Sequence, residues 1–469
     1  MLRTGATART RETATLVQRV VASRQQIALR RRRACADLRV AFEVHGRVPM
    51  LASGEMRLAA PAWEWEPVLQ GPLAAQAIDA AVAIGEALRA VPVTEASLAR
   101  GAAGRALFAA YLSRVVPGAG FERDARDLVA AAGDLVRPGR AIPTLYHGIT
   151  GLGWVMEHTR DLLPRMPGDP ATAIDDALLE HLASSAPCYG RYDLLEGLVG
   201  VGVYALERLP RPSAQVLVRS TVLALAAAAQ PSGAWFTPPS HNGHRTPSSV
   251  RGGSFSLGVA NGVAGAIGFL SRAAAAGIET RLSRAAAERA WTWLYRHRRA
   301  GHTPAVAALG LENDPARLAW CCGDPGAAAA LSMAARCLGV DDGAPIDDAL
   351  RAACRPPDTS GVIDAGLCHG AAGAGLVFAR MHNTRPHPVL RDAARAWFAR
   401  ALAMRRPGAG IGGYVAWSFD RNGTGGGWVA DPSFLTGAAG VGLALIAAAV
   451  PLEPRWDRLL LASAAELTA

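Results

Sequence analysis

From residue 101 to residue 440 two kinds of segment alternate along the chain. One kind is apolar on every side: GITGLGWVM, GLVGVGVYAL, GVAGAIGFL, GAAGAGLVF and GAAGVGLALI each run from a glycine pair into a continuous Ala/Leu/Val stretch. The other kind is amphipathic, as in SRAAAERAWTWLYRHRR (283–299) and VLRDAARAWFARALAMRR (389–406), with apolar residues recurring at helical spacing and arginines opposite. Fully apolar helices belong inside and one-sided helices outside, so the alternation predicts two concentric helical layers.

The apolar segments share one punctuation, a Gly-x-x-Gly pair. Seven occur: Gly101/Gly104, Gly148/Gly151, Gly197/Gly200, Gly262/Gly265, Gly323/Gly326, Gly370/Gly373 and Gly437/Gly440, spaced 47 to 67 residues apart. That interval accommodates a helical hairpin and a variable loop. Glycines three apart share one helix face and let a second backbone or a ligand come close. Seven hairpins predict an all-α fold, an α/α toroid with inner helices beginning at the glycine pairs. The competing arrangement is an irregular helical bundle in which the glycines merely permit tight packing.

Composition alters this picture little. Half of the 469 residues are hydrophobic and 6% are aromatic, so Ala, Leu and Val must fill the core. The net charge is +10, and every basic residue is arginine, as a GC-rich genome would produce. The densest basic run, Arg30 to Arg33, reads as a solvated helix face, or alternatively as a docking surface for an acidic partner. No aromatic interleaving accompanies it, which argues against nucleic-acid binding. Residues 1–65 lack the repeat and form an arginine-rich arm; residues 66–469 form the toroid domain. No apolar signal segment opens the chain. The uncharged stretch 432–452 contains the seventh glycine pair and reads as a ring helix rather than a membrane span. With seven unevenly spread cysteines the expected setting is the reducing cytoplasm. Loops at 230–253 and 407–433 precede inner helices and would rim the toroid's mouth.

Chemistry concentrates in repeats five and six. Cys321 and Cys368 each stand two residues before the first glycine of their pair, and His369 stands one before it. Neighbouring inner helices would bring these three together, a set suited to Zn2+ with one coordination position left for a substrate. Cys322 also stands one before its glycine; a fourth protein ligand there would close the site.

The combination WCCGDPG, CHGAAGAG, Tyr192-Asp193-Leu194-Leu195-Glu196-Gly197 and LTGAAGVGL resembles the lanthionine synthetase C-like (LanC) family over about residues 70–450. The resemblance implies a zinc-dependent cyclase of lanthipeptide biosynthesis, with Cys321, Cys368 and His369 as metal ligands and Asp193 and Arg317 at functional positions. It implies a dehydrated precursor peptide as substrate and a separate dehydratase as partner. Two departures fall at the chemistry: Asn261 stands where the family usually carries an acid/base histidine, and Cys322 stands where it commonly carries a tyrosine. Asn261 can donate a hydrogen bond but exchanges no proton at neutral pH. The proton would then come from water or another histidine, with His147, His241 and His244 as candidates. Asp193 alternatively caps a helix, and Arg317 alternatively pairs with Asp324. Asn261 also admits a non-catalytic peptide-binding scaffold. A zinc-thiolate reaction of the prenyltransferase kind is disfavoured because its aspartate-cysteine-histidine ligand set is not matched.

Overall fold

The computed structural model describes residues 65–464 apart from 138–141, 161–168, 186–189, 239–252, 299–305, 308–315, 341–342 and 420–424. The N-terminal arm, its Arg30–Arg33 run, His241 and His244 lie outside the described residues.

The helices alternate in chain order between an outer and an inner layer. The outer ones are α1 (Gly71–Arg89), α3 (Phe121–Leu135), α5 (Thr172–Ser185), α7 (Pro212–Ala228), α9 (Thr280–Arg296), α11 (Ala344–Ala353) and α13 (Pro388–Ala403). The inner ones are α2 (Ala102–Val115), α4 (Ile149–His158), α6 (Leu198–Glu207), α8 (Val263–Ala275), α10 (Asp324–Leu338), α12 (Ala371–Thr384) and α14 (Ala438–Ala449). Burial follows the sequence pattern. In α6 every residue from Leu198 to Leu206 is buried, whereas α3 buries Phe121, Ala125, Val129 and Ala132 and shows its charged face to water.

Each inner helix packs on the next, and α14 returns to α2, so the inner layer closes as a ring. α1 packs on α14, clasping the first described helix to the last. Leu69 N donates to Ala448 O at 2.8 Å, and the Trp65 indole donates to Ala447 O at 2.7 Å. The α/α toroid read from the repeats is the observed fold.

The first glycine of every pair is the N-cap of its inner helix, with extended backbone. Its small size is required by the chain's own preceding turn, not by a neighbouring helix. A Cβ on Gly148 or Gly323 would run into the carbonyl six residues earlier, that of Ile142 or Arg317. The second glycine lies under another carbonyl: Gly326 beneath Trp320 O and Gly373 beneath Leu367 O. The glycine pair therefore marks a compact turn folded back over a helix start.

A closed circuit of backbone hydrogen bonds stitches these turns together. Ala99 N donates to Tyr146 O (2.8 Å), Tyr146 N to Leu195 O (3.2 Å) and Leu194 N to Ala260 O (3.2 Å). Ala260 N donates to Cys321 O (3.0 Å), Trp320 N to Cys368 O (3.0 Å), Cys368 N to Leu435 O (2.7 Å) and Phe434 N to Ala99 O (3.0 Å). Every acceptor is the residue two before a first glycine, so the seven turns share one register.

The bore holds a segment of the chain itself. The 3-10 helix Arg455–Leu460 buries Trp456 and Asp457 completely. Asp457 pairs with Arg380 of α12 (2.6 Å), and Arg458 pairs with Glu207 of α6 (3.1 Å). Both partners stand in the later turns of their helices, so the segment enters from the end remote from the glycine turns.

The rim is less purely helical than the sequence suggested. β1 (Phe255–Ser256) pairs antiparallel with β2 (Val306–Ala307), and β3 (Ala416–Phe419) with β4 (Gly426–Val429). The second hairpin forms within the stretch read as a loop. Trp417 and Trp428 face each other across it with ring centroids 5.4 Å apart, and this cross-strand pair offsets the weak strand preference of Gly426 and Gly427.

Candidate metal centre

The common register assigns each turn position a fixed environment. Three residues before the first glycine stand Leu98, Leu145, Leu194, Val259, Trp320, Leu367 and Phe434, all essentially inaccessible. One residue before it stand Arg100, His147, Glu196, Asn261, Cys322, His369 and Thr436, every one polar or ionisable and none fully buried. Repetition thus produces an apolar floor with a polar crown above it.

Cys321 and Cys368 occupy the intermediate position in adjacent turns, joined by the Trp320 N to Cys368 O bond. Their thiols and one His369 ring nitrogen all lie within 4.8 Å of one another. Tetrahedral zinc with ~2.3 Å bonds to sulfur needs donors about 3.7 Å apart, so small side-chain rotations complete the geometry. The donor chemistry fits Zn2+: two soft thiolates and one imidazole, half-buried at the edge of an apolar floor.

Electrostatics give the same reading. The Cys322 thiol beside Cys321 lowers the Cys321 pKa, but Cys368 and burial outweigh it and leave it raised. Cys322 is pushed well up, first by Cys321 and then by burial. Burial lowers His369, yet its bond to Cys321 and the charge there prevail and raise it. Crowded thiols compete for one negative charge, and a bound cation relieves that competition. Cys322 Sγ lies 3.7 Å from Cys321 Sγ but is not among the three mutually close donors, so the closed four-ligand arrangement is not what this geometry offers.

The remaining sequence candidates distribute around the mouth. Asn261 is exposed in the turn bonded to Cys321, on the metal side. Arg317 is exposed, and its charge bears on both Cys322 and His369. Asp324, the partner the sequence offered for it, accepts from Arg355 at 2.8 Å. Asp193 is buried; its carboxylate accepts from Glu196 N (2.8 Å) and Arg191 Nε (3.1 Å). It therefore secures the turn ahead of α6, while Gly197 holds the N-cap itself.

His147 lies three turns from the metal pair in either direction around the ring, across the mouth. Burial lowers its pKa, against the pull of Glu196, with Arg100 adding to the lowering. Glu196 and Arg100 occupy the crown positions on either side of it; Glu196 belongs to the Tyr192–Gly197 motif but was given no role, and Arg100 lies in no motif. Aligning the seven turns by their first glycine would have exposed both.

The floor between these walls is aromatic. Tyr146 crosses the axis to place its ring 6.1 Å from that of Trp320, and burial followed by Cys368 drives its hydroxyl pKa well up.

Three comparisons with known proteins bear on this arrangement. A search of curated proteins by sequence returns no match. Among solved structures, nisin cyclase superposes with a TM-score of 0.64 at 18% identity, over 83% of this chain and 97% of that one, a likeness of fold. The family model "Lanthionine synthetase C-like protein" matches residues 92–461, which takes in all seven glycine turns and Cys321, Cys368 and His369. The chain belongs to the lanthionine synthetase C-like family.

Proposed function

We propose that this protein is a zinc-dependent lanthipeptide cyclase, closing thioether rings by adding peptide cysteines to dehydroalanine or dehydrobutyrine residues. The observation that carries the reading is the meeting of Cys321, Cys368 and His369 at the mouth of a toroid of this family. These three residues would hold the metal. When bound, Zn2+ supplies the acidity that converts a peptide thiol, of pKa about 8.5, into a thiolate near neutral pH.

In the addition, the sulfur lone pair forms the C–S bond to the β-carbon. The π electrons move onto the α-carbon and its carbonyl, and a proton then closes the α-carbon. This chain's residues serve the second half. The Asn261 amide and the Arg317 guanidinium, both exposed on the metal side, are hydrogen-bond donors for the developing oxyanion. His147 is the imidazole of the opposite wall, between Arg100 and Glu196; with its pKa lowered it is suited to passing a proton from water. Asp193 works through Arg191 and Glu196, holding the turn that flanks His147.

Supporting partners follow from the chemistry: a dehydrated precursor peptide and a separate dehydratase that makes it. The cytoplasm is the proposed site of action; no helix among the described residues is long and apolar enough to cross a membrane. The arm at 1–65 and the toroid at 66–469 are proposed as separate units. A scaffold reading is favoured by Asn261 alone, since the amide cannot replace an imidazole as a proton donor.

The deciding experiment incubates metal-loaded protein with a dehydrated Ser/Thr/Cys peptide and then alkylates free thiols. Loss of alkylatable cysteine at constant peptide mass supports the cyclase. Thiol counts equal to the enzyme-free control, restored to turnover in Asn261→His, support the scaffold.

A further inference from the structure

The floor residues are held from below by the segment that fills the bore. The Trp320 indole donates to Leu460 O at 2.8 Å, and the Tyr146 hydroxyl donates to Leu459 O at 2.8 Å. Trp320 precedes the first metal cysteine, and its own amide donates to the carbonyl of the second. Of the seven residues at its turn position, Trp320 alone carries a polar side-chain atom; the rest are Leu, Val or Phe. A lone donor at a fully buried position is costly unless bonded, and here its partner is fixed.

The segment cannot shift easily. Ion pairs Asp457–Arg380 and Arg458–Glu207 pin it to opposite inner helices, Arg272 donates to Arg458 O (3.2 Å), and Trp456 packs edge-on against Phe434. Trp320 is thus tied at three points: to Cys368 through the main chain, to the bore segment through its indole, and to Tyr146 through its ring.

We propose that the bore segment 454–463 is a positioning element of the metal centre, acting through Trp320 to set where Cys321 stands relative to Cys368. The inference rests on the metal-binding reading above. Metal sites depend on such supporting bonds, whose loss typically costs 10-fold or more in affinity, at the lower end about tenfold.

The test uses the full chain loaded with Co2+, reading its dissociation constant by chelator competition and its visible d–d absorption. Trp320→Phe removes the indole donor and should weaken Co2+ binding about tenfold and displace the d–d bands. Tyr146→Phe should do the same to a smaller degree. Trp65→Phe is the comparator: it loses an equally buried indole bond, to Ala447 O, far from the metal. It should lower the melting temperature and leave both metal readouts unchanged. Wild-type affinity and bands in Trp320→Phe, or in Tyr146→Phe should Trp320→Phe not fold, overturn this inference alone. A wild-type chain that binds no Co2+ overturns the metal reading and this inference with it.

Discussion

At the scale of single residues, the candidate metal set stands out because cysteine repeats at a turn position that elsewhere carries no metal-ligating side chain. Cysteine stands where the other five turns place Ala99, Tyr146, Leu195, Ala260 and Leu435, and two such departures in adjacent repeats have no packing reason. Asp193 was less legible, since its turn-securing bonds to Glu196 N and Arg191 depend on backbone geometry that no motif displays. The Arg355–Asp324 ion pair was equally hidden, since its partners stand 31 residues apart along the chain. Cys321→Ala or Cys368→Ala should reduce bound zinc from one equivalent to below about a tenth, measured by metal analysis after dialysis. Cys322→Ala should retain the full equivalent, because its thiol stands outside the set of mutually close donors.

Among the elements, the glycine pairs set the helix starts, and their meaning sharpened in three dimensions. Their spacing suggested close approach by a second backbone or a ligand; the nearest groups are main-chain atoms of the preceding turn, with a neighbouring turn's side chain beside Gly104, Gly151 and Gly200. Gly373→Ala should therefore cost at least about 2 kcal/mol, as overpacking against a main-chain carbonyl does, read as a fall in denaturation midpoint. Gly427→Ala, whose new methyl would meet open space, should stay within about 0.5 kcal/mol of the parent. The β3–β4 hairpin was hidden because its glycines signal a loop, while the Trp417–Trp428 pairing that overrides them is a contact across eleven residues. Phe419 and Trp428, 42% and 54% exposed, leave that hairpin with an apolar outer face.

For the whole molecule, the repeat count carried the fold, since seven hairpins of similar length close naturally into one ring. The clasp of α1 on α14 and the filled bore did not show in the sequence. The Arg455–Leu460 segment has neither glycine pair nor helical periodicity, and its partners lie far away along the chain. Trp456→Ala should remove about 3–5 kcal/mol of stability, followed by thermal melting, because that indole fills the axis completely. The pins of this segment also make stability depend on acid. Burial raises the Glu207 carboxyl, but the His158 bond, its charge and Arg458 outweigh burial and hold it at about 2, below the ordinary 4.5. A depressed folded-state pKa stabilises fully above pH 4.5 and loses that contribution as pH falls from 4.5 toward 2. Glu207→Gln should thus melt earlier at neutral pH and show a flatter stability profile across that acid window.

The proposed cyclase rests on two adjacent turns that bring together Cys321, Cys368 and His369, a set that would hold zinc and leave a coordination position for a peptide thiol. Zinc K-edge X-ray absorption of the purified protein measures this directly. Two sulfur scatterers per zinc are expected at rest, rising to three when a cysteine-containing dehydrated peptide is added. Three sulfurs in the resting protein, or two that never increase with peptide, would contradict it.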